Sequence, residues 1–208
     1  MSLAHKFSAW NRRRKWNLFN GEISPTAGMR VLDVGFTEEE YCDSDNFIEK
    51  YYPHPEMLTA LSTDTPIKFK ERYPKVTTIQ YDGGTFPFKD KTFDVCWSNA
   101  VIEHVGNRGL QLAFINEIRR VAKRAFITTP NRYFPVEVHT RVPFLHWFDK
   151  KTFDKYITLM GKEWAAGDYM YLLSLSEMKS ILLDAGIRDF KVFRNRIAGL
   201  TLDFVFIF

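Results

Sequence analysis

The residues able to do chemistry in this chain stand in short groups at the ends of apolar runs. Asp33 and Gly35 close the first run, Ser62 and Asp64 the second, and Asp82 and Gly83 the third. Ser98, Asn99, Glu103 and His104 follow the fourth. An ionised carboxylate accepts two hydroxyl hydrogen bonds at once, so Asp64 is placed to hold a diol such as a ribose, and Asp82 can accept from the exocyclic amine of a base. Glycine at 35 and 83 lets the backbone turn at positive φ and lets a ligand approach it closely. His104 and His139 are the candidate general bases, because imidazole titrates near neutrality. Glu103 and Glu137 stand beside them in sequence. Plainer duties, such as capping a turn or orienting a loop, fit the same residue types.

Other chemistries lack their residues. There is no Ser-His-Asp or Cys-His arrangement, and no phosphate loop ending in Lys-Ser/Thr. Cys42 and Cys96 make neither a disulfide framework nor a CxxC site. His139 and His146 stand seven apart in a proline-containing segment without a nearby cysteine, so no metal is expected from that spacing.

To bring these groups together, the runs must be strands that end side by side. Residues 29–34, 57–62, 76–82, 93–101 and 124–130 read as strands, being apolar or β-branched and bounded by turn formers. A polar helix is expected over Asp43–Tyr52, and a short helix or turn before Pro74. Leu110, Phe114, Ile118 and Val121 mark one face of a helix over Arg108–Lys123. A second helix spans Leu175–Ala185, with Ser174 and Glu177 as a capping box and Gly186 as its stop. Residues 190–196 and 200–208 read as a closing pair of strands joined by a tight connection. Strands alternating with helices, and little polar alternation within the strands, predict an α/β fold. It is a Rossmann-like doubly wound, mostly parallel sheet with an antiparallel C-terminal hairpin and helices on both faces. In such sheets ligands sit over the carboxyl ends of the strands.

Residues 131–173 form one long irregular stretch with ten aromatics and two prolines. A segment of that length is expected to be a lid or binding wall, a helical cap on the sheet, or both. Tyr133, Phe134, Phe144, Trp147 and Phe148 are its candidate apolar wall, and core packing is the alternative.

With 208 residues, 45% hydrophobic and 26% charged, the chain is expected to fold as a single domain over 1–208, with a helical arm at 1–28. No apolar run reaches bilayer length and no signal-peptide core opens the chain, so a cytoplasmic location is expected. The net charge of +4 is mildly basic, and its densest run is Arg12 to Lys15, between Trp10 and Trp16. One short cluster is weak electrostatic evidence, so nucleic acid is not the expected partner.

The stretches "VLDVG", "YDGGTFPFKDKTFDVCWSNAVIEHV" and "AFITTPNRYFPVEVHT" together resemble the class I S-adenosylmethionine-dependent methyltransferases, in particular the type 11-like group. Pro87-Phe88, Asp90, Phe93-Asp94 and Glu103-His104 carry the resemblance most specifically, and it extends over residues 29–208. It implies S-adenosylmethionine as cofactor. Asp33 and Gly35 then match the loop beneath the methionine part, Asp82 and Gly83 the pair beside the adenine, and Ser98 and Asn99 the residues near the sulfonium. Ser62 stands where relatives carry the ribose acid, leaving Asp64 as its substitute. The segment after Pro130 matches the acceptor side, and the arm with Trp10 and Trp16 matches a cover over the cofactor.

The chain departs from the family in the loop itself. Thr37 and Glu39 replace two glycines, a β-branched residue and an anion where close approach is needed. Three glutamates in a row also suit the positive end of a helix dipole with no ligand at all. Two functions therefore stay open: methyl transfer to a small-molecule or lipid-precursor acceptor, or a non-catalytic binding module on the same fold. A nucleic-acid methyltransferase is a third reading, resting on the basic run alone.

Overall fold

The computed structural model describes residues 3–137 and 139–208; Met1 and Ser2 of the expected arm, and Val138 of the 131–173 stretch, lie outside the described residues. In chain order come α1 (Leu3–Ile23), β1 (Val31–Val34), α2 (Phe47–Tyr51), β2 (Leu58–Ser62), α3 (Ile67–Arg72), β3 (Thr77–Gln80) and β4 (Phe93–Asn99). Then follow α4 (Arg108–Val121), β5 (Ala122–Pro130), α5 (Lys150–Leu159), α6 (Leu175–Asp184), β6 (Lys191–Ile197) and β7 (Leu200–Ile207). The strands form one seven-stranded sheet in the order β3-β2-β1-β4-β5-β7-β6. β1 pairs in parallel with β2 and β4, β2 pairs in parallel with β3, and β6 pairs antiparallel with β7. The chain divides into two compact units, Met1–Asn99 with Glu117–Phe126 and Ala100–Asn116 with Ile127–Phe208.

The first unit is built on β1, β2 and β4, which are buried almost throughout, with every residue of β1 buried, while β3 at the sheet edge is exposed or half-exposed. Its centre is aromatic. Trp97 of β4 stacks on Phe126 of β5 at 4.9 Å, and Phe19 of α1 meets both rings edge-on at 5.1 and 5.4 Å. Edge-on and offset contacts of this kind add to the free energy of burial. Trp16 lies in the same cluster, 6.3 Å from Trp97 and 6.4 Å from Phe47. It is therefore a core residue rather than a cover, whereas Trp10 stays half-exposed under the Arg14 guanidinium.

The helix expected over Asp43–Tyr52 is only five residues long. Its first half is a turn in which the Asp45 carboxylate accepts from the Tyr41 and Cys42 amides at 2.8 and 3.0 Å, and Asn46 takes a left-handed φ of 47°. β4 also stops two residues early, at Asn99, where Ala100 turns at φ 58°. α4 ends at Val121 because Ala122 already begins β5. On its inner side Leu110 is exposed, and the buried Gln111 takes its place, donating to the carbonyls of Ile102 and Tyr171.

In the second unit the predicted capping box is present at α6. Ser174 Oγ accepts from the Glu177 amide, and the Glu177 carboxylate accepts from the Ser174 amide. β6 and β7 are joined through Ala198 and Gly199, both at positive φ (48° and 82°), the conformation that matches the twist of a two-residue hairpin. Residues 131–173 are not irregular throughout. α5 lies within them, N-capped by Asp149, whose carboxylate accepts from the Thr152 amide at 3.1 Å. Phe153 and Ile157, four residues apart on one helix face, pack with Val142, Ala165 and Met170 into a small core. An isolated bridge between Asn131 and Leu173 ties the two ends of the stretch together.

Candidate functional site

In the first unit the predicted residues stand at the strand ends, and most are engaged by the chain itself. Asp33 is buried inside β1 beside the equally buried Glu49 of α2. Burial raises the Asp33 carboxyl to about 6, with contact to the Glu49 carboxyl and the charge of Arg12 pulling the other way. Glu49 is pushed well above the usual carboxylate range by burial and by the Asp33 charge. Gly35 turns the chain at φ 104° and donates its amide to the Leu61 carbonyl at 2.8 Å. Asp82 accepts from the Gly84 amide at 2.9 Å and is solvent-exposed, with Gly83 at φ 89° next to it.

At the end of β4, Ser98 is fully buried, and its Oγ has no hydrogen-bond partner among the described residues. Asn99 Oδ1 accepts from the ammonium of the buried Lys15 at 3.2 Å. The basic run is accordingly not a continuous positive face. Lys15 points inward, Arg13 lies over Phe47 and Tyr51, and Arg14 lies over Trp10.

The loop after Gly35 solves its missing glycines by taking another path. Gly35 and, at the far end, Asn46 have positive φ while Thr37 and Glu39 do not, and Thr37 is held by Asn46 through its amide at 2.9 Å and its carbonyl at 2.8 Å. The Glu38 carboxylate accepts from the amides of Ile67, Lys68 and Phe69, which are the open donors at the start of α3. Glutamate at a helix N-terminus is the physics expected from the sequence, but the helix served is α3, not the one following the loop. Glu39 pairs with Lys68, and Glu40 accepts from Tyr73 at 2.5 Å and pairs with Lys50 at 2.8 Å. Asp64 joins this network by accepting from the Glu38 amide at 3.1 Å. The substitute diol acid therefore fastens the loop.

The second unit brings together two histidines that sequence places 35 residues apart. His104 Nε2 lies 3.2 Å from His139 Nε2, with the rings nearly perpendicular. His104 Nδ1 is 2.9 Å from the Tyr169 carbonyl, and His139 Nδ1 is 2.7 Å from the Glu137 carboxylate. Burial alone would raise Glu137, but the hydrogen bond and charge of His139 and the amides of His139 and Thr140 outweigh it and hold Glu137 at about 2. Glu103, fully buried, accepts from Thr129 Oγ1 at 3.1 Å. His146 is not part of this group; its Nε2 meets the Phe134 carbonyl at 2.8 Å.

The same unit holds a cavity of about 210 Å³ with Phe148, Phe153 and Met170 as apolar wall and Arg108, Arg132 and Lys150 at its edge. Each of these cations has an acidic partner, respectively Asp184, Glu177 and Asp154. Of the five aromatics proposed as a wall, only Phe148 lines this cavity, and it is itself exposed, as are Tyr133, Phe144 and Trp147; Phe134 is half-buried and does not line it. Sequence reasoning missed Glu49, Lys15 and the Tyr169 carbonyl as neighbours of the site residues. A polar residue that turns inward leaves no periodic signal of its own.

Residues 42–125 match a family model described as a methyltransferase domain. Solved structures align along almost the whole chain. A S-adenosylmethionine-dependent methyltransferase of Thermotoga maritima, described as a possible histamine N-methyltransferase, superposes with TM-score 0.61 at 16% identity, covering 99% of this chain and 90% of its own. The chain has a class I methyltransferase fold. A second methyltransferase of this fold, from Aquifex aeolicus, is similar over 97% of this chain and 91% of its own, with TM-score 0.56 and 17% identity. Phosphoethanolamine N-methyltransferase 2 of Haemonchus contortus, in complex with S-adenosyl-L-methionine, shares the fold over 88% of this chain and 38% of its own, with TM-score 0.58 and 14% identity. No curated protein matches the sequence.

Proposed function

We propose that this protein transfers a methyl group from S-adenosylmethionine to a small-molecule acceptor. The reading is carried by the methyltransferase-domain match over residues 42–125, which runs from the first loop through β4 and α4 into β5. Two features of the chain suit the cofactor. Gly35 keeps the end of β1 free of a side chain at a positive-φ turn, and Ser98 keeps a fully buried hydroxyl without a partner among the described residues at the end of β4. Asp33, Gly35, Ser98 and Asn99 are the residues we assign to the methionine and sulfonium side, Asp82 and Gly83 to the adenine, and Asp64 to the ribose.

When bound, the cofactor supplies a methyl group already activated by its sulfonium, so the chain's own task is to hold the acceptor in line and keep water away. We assign acceptor binding to the cavity beside Phe148 and Arg132, within the 131–173 stretch. Where the acceptor must lose a proton to become nucleophilic, we assign that role to His104 and His139, which stand outside the lining of this cavity.

A second reading is favoured by the loop. Asp64 already accepts from Glu38, and the three glutamates are all engaged within the unit, so two of the usual cofactor contacts are used internally. On that reading the fold serves as a binding module. Titration calorimetry with S-adenosylmethionine and S-adenosylhomocysteine separates the two. Binding is expected, with Asp82→Ala weakening it about tenfold through a lost hydrogen bond. No heat at millimolar ligand would remove the enzyme reading and leave the module. Labelled S-adenosylmethionine with a panel of amines and alcohols then identifies the acceptor.

A further inference from the structure

We propose that Glu103, His104 and His139 form a binding site for a divalent transition-metal ion. The argument starts from where the ring protons must be. The Tyr169 carbonyl oxygen can only accept, so the contact at 2.9 Å fixes the hydrogen of His104 on Nδ1. The carboxylate of the buried Glu137, 2.7 Å from His139 Nδ1, likewise draws the hydrogen of His139 to that nitrogen. With each Nδ1 engaged in this way, both rings present Nε2 to one another, and the two Nε2 atoms face each other at 3.2 Å. Two ring nitrogens this close are held together by a positive species shared between them, a proton or a metal ion.

The spacing also matches what a metal requires. Two imidazole nitrogens bound tetrahedrally at about 2.0–2.1 Å stand roughly 3.3 Å apart. A third ligand is at hand. Ligand atoms of Glu103, His104 and His139 all lie within 4.8 Å of one another, and a small turn of the Glu103 side chain brings its carboxylate the rest of the way. Glu103 is fully buried, and its Oε1 has no hydrogen-bond partner among the described residues, while Oε2 is held by Thr129. A buried carboxylate oxygen without a partner is costly, and a cation satisfies it.

Glu137 and the Tyr169 carbonyl occupy the positions from which outer groups fix the tautomer and orientation of metal-bound histidines. Two nitrogens and one carboxylate leave coordination positions open, the pattern of a catalytic rather than a structural site. Both histidines are partly exposed, so the open side is reachable from solvent. An acceptor hydroxyl or amine bound there would lose its proton more readily. That role rests on the methyl-transfer reading; the metal site itself does not.

The test uses the full chain, stripped with a chelator and titrated with Co²⁺ and then Zn²⁺. One Co²⁺ per chain is expected, with visible ligand-field bands characteristic of low coordination number, displaced by Zn²⁺. His139→Ala, His139→Gln and Glu103→Gln should lower affinity at least tenfold, and Glu137→Gln by about 10–100-fold. Thermal unfolding supplies the control for folding, since Zn²⁺ should raise the melting temperature of the parent chain and not of the His139→Gln variant. Absence of Co²⁺ bands, or unchanged affinity in folded His139→Gln, overturns the proposal and leaves a proton as the shared cation. S-adenosylmethionine binding without metal binding would sink the metal site alone, and the reverse result would sink the methyl-transfer reading alone.

Discussion

Replacing Glu49 by glutamine should stabilise the protein at neutral pH, an unusual direction for a change at a buried polar residue. Asp33 and Glu49 share the interior of the first unit, and neither Glu49 oxygen has an ordinary hydrogen-bond partner among the described residues. The Asp33 carboxyl is raised from 3.8 to about 6, and Glu49 is displaced in the same direction. A group whose pKa is higher in the folded chain than in the unfolded one contributes stability below its unfolded value. That contribution is lost as pH rises through the folded value. For Asp33 the window runs from about pH 4 to just above pH 6. A shift of about two units corresponds to ~3 kcal/mol lost across it. Glu49→Gln keeps the shape, removes one of the two ionisable groups, and gives Asp33 an amide donor. Urea unfolding followed by fluorescence at several pH values reads the outcome. The parent should weaken between pH 5 and pH 7.5, and the variant should show a flatter profile and a gain of about 1–3 kcal/mol at pH 7.5. A parent with constant stability over that interval, together with a variant weaker than the parent at pH 7.5, would refute the idea that burial of paired carboxyls governs this region.

Two further substitutions test the framework around the site. Phe19→Ala removes a fully buried ring that touches both Trp97 and Phe126, and should cost about 3–5 kcal/mol by denaturant titration. Ser174→Ala removes half of the capping box at α6 and should cost about 1 kcal/mol, with faster amide exchange in the first turn of that helix.

The strands were legible because a strand buried on both faces is a nearly continuous apolar run, and β1 and β4 are such runs. α6 was legible because its cap is local chemistry, three residues from Ser174 to Glu177. What escaped the sequence depended on partners far along the chain. The three glutamates after Gly35 open no helix of their own; Glu38 alone serves a helix N-terminus, that of α3, which begins 29 residues further on and is brought to it only by the fold. His104 stood without a visible partner until its ring was found against His139. Leu110 satisfied the spacing of a buried stripe, yet Gln111 is buried instead, because its amide can satisfy two carbonyls that an aliphatic side chain would leave bare. α5 was hidden by the density of aromatics around it, although Asp149 followed by Thr152 and Phe153 carries its start signal.

The aromatic nest beneath α1 gives the molecule an optical reporter of its own. Trp16 and Trp97 lie 6.3 Å apart in dry surroundings, while Trp10, Trp147 and Trp164 are in contact with solvent. Blue-edge emission therefore reports almost solely on the seating of the first helix against the fourth strand. Its loss, with the red-shifted emission of the exposed tryptophans unchanged, would reveal that helix peeling away before the sheet gives up its order.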